Sequence, residues 1–123
     1  MKDRIARWAL DKPYIEVREM FGMTTFLHLG NFLAADDAGD LVIRLAASEE
    51  SEARHLPGAK AWRAGAPGTA TYTRIPAAAL TDATALNQWL DRALTHSQTL
   101  EPKERLINKP VLRPDFLGGK IGS

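Results

Sequence analysis

Apolar and polar positions in this chain change their period several times, and each change marks an element. Over residues 2–12, Ile5, Trp8 and Ala9 share one face at helical spacing, while Asp3, Arg7 and Asp11 form i,i+4 opposite-charge pairs on another. The spacing predicts a helix closed by Lys12-Pro13, because the residue before proline is pushed out of the α region. The period then drops to two. Ile15, Val17 and Glu19 alternate with Glu16, Arg18 and Met20, which predicts a strand over 14–20 with one buried face, broken at Phe21-Gly22. Thr24 to Leu29 reads as a second strand, with Phe26 facing the same way as His28. Gly30-Asn31 accepts positive φ and predicts a tight hairpin into Phe32-Leu33-Ala34-Ala35. Residues 36–40 (Asp-Asp-Ala-Gly-Asp) form the next turn, before a strand over 41–45.

Ser48 is placed to cap a short helix with Glu49, Glu50 and Glu52 in its first turns, where the helix dipole favours acids. Pro57-Gly58 stops it. Residues 57–68 read as an irregular loop around Lys60, Trp62 and Arg63, and Thr69 to Ile75 alternates once more as the last strand. The strongest helix covers 82–99: Leu86, Trp89, Leu90, Ala93, Leu94 and Ser97 repeat on one face, with Thr81 or Asp82 as cap. Past Lys103 the apolar residues have no period and are broken by Pro110, Pro114 and Gly118-Gly119. The expected organisation is a domain over 1–103 and a tail over 104–123. The expected fold is α+β and two-layer: an antiparallel sheet of about five strands with helices packed on one face, the long last helix sealing it.

Composition narrows the function. A chain of 123 residues with 45% hydrophobic and 25% charged residues is an ordinary globular domain. A formal net charge of +1 gives no electrostatic case for nucleic acid. There is no cysteine, hence no disulfide, thiolate nucleophile or Cys-ligated zinc. No apolar run is long enough for a secretory signal or a membrane span, so the expected location is cytoplasmic, without membrane contact.

Candidate chemistry is sparse. His28, His55 and His96 lack the spacing of a zinc site and read as surface or edge histidines. Asp36, Asp37 and Asp40 resemble part of a calcium loop, but the glycine is misplaced and no glutamate closes it, so turn chemistry explains them. Neither a nucleophile elbow nor a phosphate loop is present. No catalytic residue, cofactor or metal is therefore expected. Trp62 between Lys60 and Arg63 reads as a plug for one end of the core, with a contact patch as the alternative. The tail cations are balanced by acids.

Taken in order, Arg18-Glu19-Met20-Phe21-Gly22, Phe26-Leu27 and Gly30-Asn31-Phe32-Leu33-Ala34-Ala35 resemble the Met-Phe-Gly-Gly signature and hairpin of the TfoX/Sxy N-terminal domain family. The likeness continues through Leu41 to Leu45, the Pro57 loop, Tyr72-Thr73-Arg74-Ile75-Pro76, Leu86 to Ala93 with Trp89, and Leu100-Glu101-Pro102-Lys103, covering about residues 4–103. YjbR-type relatives share the plan. The resemblance implies helices on one face of an antiparallel sheet, as in type III secretion chaperones. Founders of the family are co-activators of natural competence that work with the cyclic-AMP receptor protein. Met23 stands where the signature has its second glycine, and Ala64-Gly65-Ala66-Pro67-Gly68 replaces the usual Gly-Arg-Pro-Met run. The founders' second, helix-hairpin domain does not fit in the twenty residues after Lys103, so a transcription or competence co-regulator role is expected to run through protein contacts and not through direct DNA contact.

The leading expectation is a non-enzymatic regulatory module acting through a protein partner, by a surface of Phe21, Gly22, Met23, Lys60, Trp62 and Arg63 with the tail. A homodimer through the tail is the variant of that reading. Two alternatives stand beside it: a small-ligand binder or weak enzyme using His28, Glu19 and Tyr72 on the sheet, and a nucleic-acid accessory protein using Lys60, Arg63 and Arg74.

Overall fold

The computed structural model describes residues 1–63 and 71–103. Helix α1 (Lys2–Ala9) leads into strands β1 (Ile15–Met20), β2 (Met23–His28), β3 (Asn31–Asp37) and β4 (Asp40–Ile43). Helix α2 (Ala47–Ala53), β5 (Lys60–Arg63), β6 (Thr71–Ile75), a 3₁₀ turn (Ala77–Ala79) and helix α3 (Ala83–Ser97) follow. The strands form one antiparallel sheet of six, ordered β1-β2-β3-β4-β6-β5. The α+β class holds, but with six strands where about five were expected. The added strand is β5, in what reads as the Pro-Gly-bounded loop. Its Trp62 pairs with Tyr72, and a four-residue edge strand needs only that one neighbour.

The four-strand meander is built on three two-residue turns of one kind. Phe21-Gly22, Leu29-Gly30 and Ala38-Gly39 all carry positive φ at both positions (55° and 74°, 50° and 83°, 53° and 93°). This is the type I′ pattern, whose twist matches that of the strands. The second hairpin is therefore shifted by one residue from the expected Gly30-Asn31. Asn31 becomes the first residue of β3, opposite His28. Gly30 is needed twice over, since a Cβ there would lie 2.7 Å from the Lys103 carbonyl oxygen. Asn31 Nδ2 donates to the Glu101 carbonyl at 2.9 Å and Lys103 N–H donates to Leu29 O at 2.9 Å, so residues 101–103 are clipped to this turn.

Alternation assigns the two faces of the sheet. Phe26, Leu33, Ala34, Leu41, Ile43 and Ile75 point to the helices and join Ile5, Trp8, Ala53, Leu86, Leu90 and Ala93 in the main core. Between β2 and β3 the register slips, with Phe26 opposite Ala34 and Leu27 opposite Phe32. The extra residue, Leu33, lets both Leu33 and Ala34 face the core, and such a bulge sharpens local twist. Stripe residues Leu86, Leu90, Ala93 and Ser97 of α3 are buried, as the periodicity predicts. Asp82 caps α3 by accepting from Thr84 N–H at 3.0 Å. Trp8 Nε1 donates to Asp91 at 2.8 Å, joining α1 to α3, and Arg92 pairs with Glu52 and Glu49, joining α3 to α2.

Several expectations are corrected. Helix α1 stops at Ala9, because i→i+3 turns at Leu10 and Lys12 tighten the chain before Pro13. Helix α2 starts after Ala46 with no side-chain cap, so Ser48 lies inside it. Strand β1 has no buried face, being the edge strand with no helix over its outer residues. His28 is buried at 4% exposure rather than at a surface. Its Nδ1 lies 2.8 Å from Ser97 Oγ of α3, the partner that makes burying an imidazole tolerable. The residues expected as a loop at 64–68, the start of the last strand at 69–70, and the 104–123 tail lie outside the described residues.

Candidate functional site

The sheet face turned away from the helices is sealed by its own side chains. Met23, Leu27, Phe32, Ala35 and Val42 are buried there, with Met20, Trp62 and Tyr72 packed against them. Strands lie roughly 4.8 Å apart, so a flat sheet would separate β2 from β5 by about 19 Å. Twist summed over those four steps is about 90°, enough to bend the β1–β2 tip across this face. Phe21, at that tip, meets Trp62 of β5 edge-on with ring centroids 6.1 Å apart. Trp62 stacks on Tyr72 at 5.9 Å and Tyr72 on Phe32 at 4.4 Å, giving a continuous ladder of four rings.

The predicted contact surface is therefore drawn together in part. Phe21 is 59% exposed and Met23 lies buried beneath the same ladder. Trp62 plugs this second cluster rather than the main core. Lys60 shares the Trp62 face by strand parity, but Arg63 points to the opposite one. The cations Lys60, Arg63 and Arg74 do not converge either. Arg74 is held by Asp37 and, at 2.9 Å, by Asp40, so its charge is already matched. The Ala77 N–H and Arg74 together hold the Asp40 carboxyl below its usual range. Nor do His28, Glu19 and Tyr72 share a site. Glu19 accepts from Thr24 at 2.8 Å on the helix-side face with His28, and Tyr72 lies on the other. Burial lowers the His28 pKa, keeping that imidazole neutral.

Two features escaped the sequence reading. The first is an edge. The large apolar side chains exposed among the described residues are Leu10, Tyr14, Val17 and Phe21, all on or beside β1, whose outer edge has no strand neighbour among those residues. A groove of about 310 Å³ runs beside them between α1 and β1, floored by Ala6, Ala9, Ile15 and Phe26. The signal was available: a strand carrying Val17 among charges, next to the apolar pair Leu10 and Tyr14, is a poor candidate for full burial. The second is a polar cleft of about 380 Å³ where β4 ends beside α2, β6 and the last turn of α3. Its walls come from residues far apart in sequence, which no local pattern connects.

Among the described residues no three His, Cys, Asp or Glu side chains are grouped to hold a metal, and no helix is long and apolar enough to cross a membrane. The family model for the TfoX N-terminal domain matches residues 10–97. No curated protein and no solved structure matches the chain.

Proposed function

Because the chain belongs to the TfoX N-terminal domain family, we propose that it is a non-enzymatic regulatory module that works by docking an extended strand of a protein partner onto β1. The observation that carries this reading is the exposure of Leu10, Tyr14, Val17 and Phe21 on or beside β1, whose outer edge has no neighbouring strand among the described residues. A free edge offers a row of backbone donors and acceptors, and soluble proteins usually blunt such edges. Adding a partner strand satisfies those groups and gives affinity, while a neighbouring pocket reads alternate side chains. Here the α1–β1 groove would take an apolar side chain of the partner. The exposed Glu16–Arg18 pair, 3.1 Å apart, supplies charges that favour one register over another.

The first partner to test is the cyclic-AMP receptor protein, which the family resemblance implies; a second is whatever native extract yields by cross-linking, purified and reconstituted. Binding should protect the outward amides of Ile15, Val17 and Glu19 from hydrogen exchange and fall at least about ten-fold in Val17→Lys, a difference of roughly 1.4 kcal/mol. Equal binding by Val17→Lys and by an edge-blocking Glu19→Pro, whose lost N–H points away from β2, would retire the proposal, as would the lack of any reconstituted partner.

A further inference from the structure

We infer that the cleft at the end of β4 is a binding site for a small oxyanion, a carboxylate or a phosphate, with the Arg44 guanidinium as its principal ligand. The inference rests on which hydrogen-bonding groups in the cleft are already engaged and which are not.

Arg44, Glu50, Arg54, Thr71, Tyr72 and His96 supply the polar lining. The only carboxylate among the described lining residues, Glu50, is buried, and both its oxygens are occupied. Oε2 accepts from Leu45 N–H at 3.0 Å, and Oε1 accepts from the Thr73 hydroxyl with Arg54 at 3.8 Å. Arg54 is turned inward, donating through Nε to Thr73 at 3.2 Å. Arg44 is different. Among the described residues its guanidinium has no hydrogen bond or ion pair, and rests 5.9 Å over the Tyr72 ring. Attraction to an aromatic face holds a guanidinium nearby without using its N–H groups, which remain available to grip two oxygens at once. The Thr71 hydroxyl, the Tyr72 hydroxyl and the His96 ring likewise have no hydrogen-bonding partner among the described residues. Burial raises the Tyr72 pKa, so the phenol remains a donor.

The cleft thus presents donors and an excess of positive charge, with its one acid already matched. Among the described residues a cation would meet only neutral hydroxyl and imidazole acceptors beside the net positive charge of two arginines and one glutamate, whereas an oxyanion would find several donors and that charge in its favour. The Tyr72 ring and Leu45 supply an apolar wall, which favours an oxyanion carried on an organic body.

The test is a titration of the full chain at constant ionic strength, with benzoate, inorganic phosphate and chloride as separate probes. The readout is the NMR resonances of the Arg44 side chain, the His96 ring and Tyr72. Saturable shifts confined to these groups are expected with benzoate, with phosphate, or with both, and whichever saturates names the source of the oxyanion. Arg44→Gln should weaken that binding at least ten-fold. Arg44 neutralises no partner among the described residues, so the variant should keep its fold; if it does not, Arg44→Lys, which keeps the charge but loses the planar fork, should show a smaller loss. Shifts linear in concentration with every probe, or saturable binding unchanged in the Arg44 variants, would overturn the site. Val17→Lys should bind the oxyanion as the parent does, so this result stands or falls apart from the docking proposal.

Discussion

The two faces of the sheet solve the same problem by different means. On the covered face, aliphatic side chains such as Leu33, Leu41, Ile43 and Ile75 are closed over by three helices and are wholly buried. On the bare face no helix is present among the described residues, and Phe21, Trp62, Tyr72 and Phe32 close over one another. Interdigitated aliphatics give dense, well-fixed packing. A ring ladder on a curled sheet leaves its outer members partly in water. The first arrangement closes a dense core, and the second leaves large rings partly open at the surface. Closed aliphatic packing and a half-open ring ladder thus occupy opposite sides of one layer.

That division can be broken by experiment. Leu90→Ala, deep under α3, should cost about 3 kcal/mol in chemical denaturation, since it deletes a fully buried side chain and leaves a cavity. The covered face should also make the protein acid-sensitive. Burial lowers the His28 pKa from its usual 6.5, so the unfolded chain binds the proton more readily than the folded one. The stability associated with neutral His28 is complete above pH 6.5 and should decline as pH falls below it, by at most about 1.4 kcal/mol per pH unit. His28→Gln should flatten that slope in urea titrations; an unchanged slope would mean the imidazole is not the group responsible. On the bare face, Trp62→Leu should cost only about 1 kcal/mol, the scale of aromatic pairing in a half-buried ladder. If it equals Leu90→Ala, the two faces are not distinct in kind. The smallest effect is expected at Phe21→Asn. Asparagine tolerates the positive φ there better than phenylalanine, so the melting temperature should hold or rise slightly, by about 0.5 kcal/mol equivalent.

Much of the covered face was legible in advance because it is written in local periodicity. The stripe on α3, the face of α1 and the meander all follow from spacing that one element contains by itself. Even the burial of His28 was implicit, since it shares a strand face with Phe26, but a lone histidine reads as surface until Ser97 is seen opposite it. Strand β5 was missed because Lys60-Ala61-Trp62-Arg63 is too short to show alternation and is flanked by turn signals. The hairpin at Leu29-Gly30 was displaced by one residue because asparagine is a familiar turn former, whereas here Asn31 serves to clip residues 101–103. The ring ladder and the cleft had no local signature. They depend on summed strand twist and on the β4–α2–β5–β6 crossover, both properties of the assembled sheet.

The near-parallel stacking of Trp62 on Tyr72, with 8° between the ring planes, also equips the molecule with an optical probe. Coupled transitions of two such chromophores should give a near-ultraviolet circular dichroism band absent from Trp8 and Trp89. With those two indoles replaced by phenylalanine, the remaining emission would come from the ring that touches Phe21 on one side and the Arg44-capped tyrosine on the other. A single cuvette measurement could then follow occupancy at either end of the ladder without any attached label.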